Sequence, residues 1–262
     1  MDNGIIDLSI WQLLLAYIFV MIVLGILKLR AINRERELII ATLRMSVQLI
    51  IVGFLLTWVI ENPHPLITAL IIIIMQGFAV YTVFSKFKGQ LNPTLKRVIA
   101  AALPGGTLIV LLYFLFVVIR VEPIYDPQYF IPIAGMIVGN AMTGITLGVH
   151  TMVNRFTSDT AQVSEALILG ATPKDASKSI IDEAFDSAIM PTINNMLGMG
   201  FVFLPGMMTG QILSGVLPVT AIMYQIGIML GILGGVALTT FLFLRFGYRA
   251  FFNHQAQLID NR

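Results

Sequence analysis

The chain alternates long apolar runs with short polar connections. A helix needs roughly 20 apolar residues to cross the hydrocarbon core of a bilayer, about 30 Å thick, and runs of this length recur along almost the whole sequence. Seven of them fall at 7–28, 38–60, 66–84, 98–119, 130–152, 192–214 and 220–244. The pattern predicts an all-α, polytopic membrane protein with seven transmembrane helices, forming a single transmembrane domain over 1–262.

Composition strengthens this prediction. Hydrophobic residues make up 57% of the chain and charged residues 11%, more apolar side chain than a water-soluble domain can cover with its own polar surface. The sequence contains no cysteine, which excludes disulfides and thiolate metal sites.

The distribution of basic residues predicts the orientation. Lysine and arginine concentrate in the connections after the first, third and fifth runs and in the tail. They are Lys28, Arg30, Arg34, Arg36, Lys86, Lys88, Lys96, Arg97, Arg155, Lys174, Lys178, Arg245, Arg249 and Arg262. Because basic loops stay in the cytoplasm, we expect the N-terminus outside, the C-terminus inside, and a multi-pass protein of the cell (inner) membrane.

The longest polar interruption is the predicted cytoplasmic loop at 153–191. Apolar residues recur at helical spacing up to Gly170, which can end a short helix. Thr172 and Pro173 can start a second one, because threonine is a good N-cap and proline fits the first turn. A bent amphipathic pair of this kind either docks on a partner outside the membrane or lies at the membrane interface.

Two predicted helices carry polar side chains at membrane depth. Arg44 and Gln48 lie one turn apart in the second run, where they either anchor the helix at the interface or line the inner half of a pathway. Asn140 lies near the middle of the fifth run. Its amide needs a partner, so it forms either an interhelical hydrogen bond or part of the pathway.

The sixth run contains a break signal. Pro205 and Gly206 predict a kink or a split near the bilayer centre, and Met207 and Met208 follow directly. Discontinuous helices at this depth often bind the substrate of a transporter, although a packing kink has the same signature. Thioether sulfur suits Cu(I), so the 14 methionines could bind this metal. Methionine in an apolar interior usually only fills space, however, so the sequence does not assign a metal site.

Glycines at four-residue spacing predict close helix packing. Gly135 and Gly139 form one such pair in the fifth run, and Gly144 and Gly148 form another. Small residues at this spacing let two membrane helices approach closely.

Several chemistries lack support in the sequence. The chain has no glycine-rich nucleotide loop of the G-x-x-x-x-G-K-[ST] type, so any ATP and Mg²⁺ must be held by another subunit and no cofactor is expected on this chain. A proton- or ion-coupled secondary carrier is an alternative, yet Asp7, the first residue of the first predicted span, is the only aspartate or glutamate within the seven spans. Nothing indicates a nucleic-acid partner.

Short motifs in the loop carry a family resemblance. The pattern Glu165-Ala166, Gly170-Ala171 and Pro173 resembles the EAA loop of ABC-transporter permeases, with Leu167 replacing the third EAA position. Longer runs, in the same order along nearly the whole chain, are similar to the FetB-type iron-export permeases (the UPF0014 family). These runs are 48–53, 131–142, 170–177, 203–210 and 218–226.

The resemblance implies a specific function. It implies a permease subunit that exports iron or a related metal and pairs with a separate FetA-type ATPase. This ATPase would dock on the EAA-like loop, at Glu165, Ala166, Gly170, Ala171 and Pro173. Because one chain supplies one coupling loop and an ATPase pair needs two, a homodimer is expected. Asp182, Glu183 and Asp186 depart from a family segment that tends to be basic, which could change which ATPase surface is accepted.

Overall fold

The computed structural model describes residues 9–123, 125–253 and 255–259, so the predicted start of the first span at residue 7 lies outside the described residues. Eleven α-helices occur within these ranges. They are α1 Ile10–Ala16, α2 Ile18–Leu29, α3 Glu35–Glu61, α4 Pro65–Lys86, α5 Pro93–Tyr113, α6 Pro127–Ser158, α7 Thr160–Ile168, α8 Pro173–Ala176, α9 Lys178–Gly198, α10 Gly206–Leu213 and α11 Pro218–Gly247. A π-helical segment, Phe114–Ile119, continues α5, and a 3-10 turn, Tyr248–Phe251, continues α11. The predicted all-α class is confirmed.

Proline at the first helical position sets where five helices begin. It opens α4, α5, α6, α8 and α11, because its fixed φ suits the first turn and its missing N–H has no helical partner there anyway. A polar cap precedes several of them. The Asn92 side chain, for example, accepts a hydrogen bond from the Leu95 backbone N–H at 2.7 Å, and this bond helps to fix the start of α5.

Six helices among the described residues are long and apolar enough to cross a membrane: Ile10–Leu29, Glu35–Glu61, Pro65–Lys86, Pro93–Ile119, Pro127–Ser158 and Pro218–Phe251. The polytopic membrane protein is thus confirmed. The predicted sixth span, 192–214, is not one of these six helices, because it is split as Pro205 and Gly206 predict. Helix α9 ends at Gly198 and α10 begins at Gly206. Pro205 has extended backbone angles and caps α10, and it disfavours helix in the residue before it.

The predicted loop at 153–191 is also shorter in the structure. Helix α6 runs on to Ser158, and α9 begins at Lys178. The segment between them is therefore 159–177, occupied by α7 and α8. Pro191 lies inside α9 and does not mark the end of the loop.

Two apolar clusters form the interior of the bundle. The first joins α4, α5, α6, α9 and α11 to α7. Its buried residues are Ala79, Val83, Phe87, Leu91, Leu95, Ile99, Ala102, Leu103, Val138, Ile145, Val149, Met152, Phe156, Val163, Ile180, Ala184, Phe243, Leu244, Ala250 and Phe251. The second lies toward the other end of α4, α5, α6 and α11, with Ile72, Leu111, Phe114, Leu115, Val121, Ile133, Ala134, Ile137, Ile228, Met229, Ile232 and Val236. Both clusters pack around α6.

Helices α2 and α3 lie at the edge of this bundle. Their spanning windows are 0% buried, against 50% for the window in α11. In a membrane protein, lipid or another membrane-embedded chain covers such apolar surface. The two helices therefore contribute little to the interior that positions the candidate site.

Candidate functional site

The break between α9 and α10 is a tight turn rather than a simple kink. Gly200 has φ +91°, a left-handed conformation that glycine adopts without strain. Its N–H donates to the Phe203 carbonyl at 3.0 Å, and the Val202 N–H donates to the Gly198 carbonyl at 2.9 Å. Backbone groups released by the break are thus partly satisfied locally. The predicted break at Pro205 and Gly206 is present.

A cavity of about 420 Å³ lies beside this break. It is bounded by the end of α9, the turn, α10 and the first half of α11. Ten residues line it: Met196, Met199, Gly200, Leu204, Met208, Ile222, Gln225, Ile226, Met229 and Leu230. The Gln225 side chain is nearly buried, and its Nε2 donates to Met199 Sδ at 3.9 Å. Four thioethers and one amide therefore surround one cavity.

The two methionines singled out in the sequence face different surroundings. Met208 lines the cavity, whereas Met207 packs against the second apolar cluster. Sequence analysis missed Met196, Met199 and Met229. Spacing offered a signal for one pair, because Gln225 and Met229 are four residues apart on α11 and so share a face.

The other predicted pathway residues lie outside this cavity. Arg44 and Gln48 share a shallow groove along α3, where the Arg44 guanidinium lies 5.2 Å from the centre of the Phe78 ring. The amide of Asn140 donates to the Met136 carbonyl of its own helix at 2.8 Å. The structure therefore does not bring these three side chains together with Met208.

The two glycine pairs of α6 differ in what they touch. A Cβ placed on Gly144 would lie 2.7 Å from Val236 Cγ1 and 3.2 Å from the Ala188 carbonyl oxygen. One placed on Gly148 would lie 3.4 Å from the Ala184 carbonyl oxygen. These two glycines therefore sit where α6 meets α9 and α11. By contrast, Gly139 has open space within 4 Å, and Gly135 would meet only the end of Met75 at 3.5 Å.

The bend between α7 and α8 is fixed by two capping motifs. Gly170 has φ +93°; its N–H donates to the Leu167 carbonyl, and the Ala171 N–H donates to the Ala166 carbonyl, both at 3.0 Å. This pair of bonds is a Schellman motif, which ends α7. The Thr172 hydroxyl then accepts from the Asp175 N–H at 3.2 Å and caps α8. The predicted helix, bend and helix are present.

The bend exposes an apolar tip. Ile168 is 85% exposed and Leu169 is 82% exposed, although their neighbours Val163 and Leu167 pack into the first apolar cluster. Glu165 is exposed beside them. The α7–α8 segment is thus held on the bundle by one face and presents two large apolar side chains on the other.

Charged residues around this segment form one ion pair network. Arg155 Nη2 lies 3.0 Å from Asp159 Oδ2, and Arg155 Nε lies 2.9 Å from Glu183 Oε2. The Nε contact is an ion pair without hydrogen-bond geometry. Asp182 and Asp186 instead line a groove with Arg245 and other residues between α9 and the end of α11. Among the described residues, no group of three or more histidine, aspartate or glutamate side chains could hold a metal ion.

Comparison with known proteins decides the family. The sequence profile of the uncharacterised protein family UPF0014 matches residues 10–252. The chain belongs to the UPF0014 family. The match covers every helix described above, the α9–α10 break and the α7–α8 bend.

Relatives within UPF0014 align over most of their length. A UPF0014 membrane protein of Synechocystis is 34% identical over 90% of this chain and 91% of its own length. The probable iron export permease protein FetB of Escherichia coli is 32% identical over 95% of this chain and 94% of its own. The protein ALUMINUM SENSITIVE 3 of Arabidopsis thaliana is 31% identical over 87% and 81%. These names support a membrane permease. No solved structure matches the chain.

Proposed function

We propose that this chain is the permease subunit of an ABC transporter that exports iron or a related metal across the cytoplasmic membrane. A separate FetA-type ATPase would bind ATP and Mg²⁺ and dock on the α7–α8 bend. One observation carries the proposal: Ile168 and Leu169 are 85% and 82% exposed at the tip of a bend that is otherwise packed on the bundle. A rigid, exposed apolar pair is typical of a surface that buries itself in a partner.

The bend is connected so that a push on it reaches the α9–α10 break. Ser177 joins α8 to α9 and is fully buried, and its hydroxyl donates to the Pro173 carbonyl at 2.7 Å. Helix α9 packs against α6, where Ala188 faces Gly144. Movement of the bend would therefore shift α9 along α6, and α9 ends at the cavity.

The proposed assembly is a homodimer, since an ATPase pair needs two coupling segments and each chain has one. Glu165, Ala166, Gly170, Ala171 and Pro173 form or border the bend, which supports their proposed place in the docking surface. The N-terminus outside and the C-terminus inside complete the proposal, because this orientation puts the bend in the cytoplasm. Export of iron is supported by the name of the E. coli relative.

Reconstitution tests this function. The chain and a FetA-type ATPase are placed in vesicles with the ATPase outside, and uptake of Fe(II) is followed. We expect uptake that requires both ATP and the ATPase. Uptake at the same rate from an ion gradient alone, without the ATPase, would contradict the proposal and favour a secondary carrier.

Two loop variants test the docking surface in the same vesicles. Leu169→Asp places a charge on the apolar tip and should lower ATP-driven uptake about tenfold, the cost of losing an anchoring contact of roughly 1–2 kcal/mol. Ile32→Asp alters an apolar side chain that is 44% exposed in the α2–α3 connection and should leave uptake unchanged. Equal loss in both variants would argue against a specific docking role.

A further inference from the structure

The cavity beside the α9–α10 break collects sulfur from separate parts of the chain. Met196 belongs to α9, Met199 to the turn, Met208 to α10 and Met229 to α11. Met208 and Met229 are only 7% and 8% exposed. Methionine often fills space in apolar interiors, but that role does not require several methionines to line the same cavity. Here four of the chain's 14 methionines do so.

Gln225 supplies a polar donor of a different kind to the same cavity. Its side chain is 7% exposed and lines the same cavity. The Nε2 group donates to Met199 Sδ, while the Oε1 atom accepts no hydrogen bond from the described residues. That oxygen is not itself sealed off from the cavity, so it is free to contact a ligand there.

The donor set determines the class of ligand. Thioethers are soft donors that prefer Cu(I) among biological metals, and the amide oxygen adds one neutral donor. No donor among the four methionines and Gln225 carries a charge that could neutralise a cation. Because the cost of moving an ion out of water is large and rises with its charge, a monovalent ion is far more favourable here than a divalent or trivalent one.

We propose that Met196, Met199, Met208, Met229 and Gln225 form a binding site for one soft monovalent metal ion, Cu(I), in the cavity between α9, α10 and α11. This site goes beyond the proposed iron export, since binding is a property of this chain alone and needs neither the ATPase nor transport. Its position at the break also places the ion where α9 would move.

Titration of the purified full-length chain in lipid nanodiscs tests the site. Ag(I), a redox-inert probe for Cu(I), is added in chloride-free buffer and the heat of binding is measured. We expect one tight site per chain. Met199→Leu combined with Met208→Leu keeps the apolar volume but removes two sulfurs, and should weaken binding by about tenfold or more, at least the effect that supporting residues have on metal affinity.

The matched control removes two methionine sulfurs that do not line the cavity. Met45→Leu combined with Met223→Leu changes methionines that are 53% and 67% exposed, and should leave the tight site unchanged. Equal affinity in the two double variants would overturn the proposal, because it would show that Ag(I) binds methionines indiscriminately.

A second measurement covers the case in which the cavity variant folds poorly. Thermal unfolding without metal reveals whether both double variants are intact. X-ray absorption of the Cu(I)-loaded natural protein is then independent of any variant, and we expect a first coordination shell dominated by sulfur. A shell of only oxygen and nitrogen, or the absence of a stoichiometric Cu(I) complex, would overturn the site, whereas failed iron transport alone would leave it standing.

Discussion

Arg155 near the end of α6 and Glu183 early in α9 form an ion pair, with 2.9 Å between Nε and Oε2. The pair closes the base of segment 159–177, which contains the α7–α8 bend. The two side chains are 40% and 49% exposed, and pairs of this kind contribute at most about 1 kcal/mol to stability. We therefore expect its main effect to be to hold the bend in one position relative to α6 and α9.

Removal of this pair should loosen the bend without unfolding the protein. We expect Glu183→Gln to raise hydrogen exchange in segment 159–177 severalfold, because local opening becomes easier, with a change of about 1 kcal/mol or less in the free energy of unfolding. The matched control is Asp182→Asn, since Asp182 forms no ion pair within the described residues. If both variants exchange alike, the Arg155–Glu183 pair does not restrain the bend.

Alanine substitutions at two glycines of α6 should have different effects on stability. Gly144→Ala should destabilise the protein by roughly 1–3 kcal/mol, because the new methyl group would lie 2.7 Å from Val236 Cγ1 and 3.2 Å from a backbone oxygen. Gly139→Ala meets nothing within 4 Å and should be neutral or stabilising by up to about 1 kcal/mol, because alanine favours helix more than glycine does. Thermal unfolding in detergent compares the two; a larger loss for Gly139→Ala would refute the packing described here.

Gly170 offers a test of the bend's backbone. With φ at +93°, Gly170→Val should distort the Schellman motif and lower the stimulation of ATP hydrolysis that we expect the chain to give the proposed FetA-type ATPase. Asparagine tolerates left-handed angles better than other residues do, so Gly170→Asn should retain most of the stimulation. Assays of ATPase activity in proteoliposomes decide this. Equal stimulation by the valine variant and the natural chain would mean that the bend's shape does not matter for coupling.

A buried hydrogen bond within the bundle gives a fourth test. Gln76 Nε2 donates to Thr107 Oγ1 at 2.8 Å, and both residues are buried. Thr107→Val should cost about 1–2 kcal/mol, because the Gln76 amide loses its partner. Adding Gln76→Leu should recover part of that loss, since removal of both polar groups is less costly than removal of one. A double-mutant cycle measures this, and strictly additive losses would contradict the coupling between α4 and α5.

Local signals in the sequence predicted local structure well. The bend followed from Gly170, Thr172 and Pro173, whose preferred backbone angles act within a few residues. The break likewise followed from Pro205. Hydropathy alone indicated a sixth span over 192–214, but it measures only length and polarity, so it did not reveal the tight turn at Gly200 that divides this span.

The residues that line the cavity could not be predicted from their neighbours in the sequence. Successive helical residues point about 100° apart, so the adjacent Met207 and Met208 face different surroundings. The remaining sulfur ligands come from α9, the turn and α11, and only the packing of these elements brings them together. Asn140 shows the same limit, because the sequence alone did not reveal that its amide donates to the Met136 carbonyl of its own helix.

The docking of the α7–α8 bend on an ATPase is tested most directly by cross-linking. The chain contains no cysteine, so Leu169→Cys introduces a single thiol at a site that is 82% exposed. In membranes containing the ATPase, a thiol-directed cross-linker should join the two proteins from the cytoplasmic side. Leu217→Cys, at a position 72% exposed on the predicted outer side, should give no such product. A thiol at position 169 that reacts only from outside, or that stays unlinked while transport proceeds, would contradict the account.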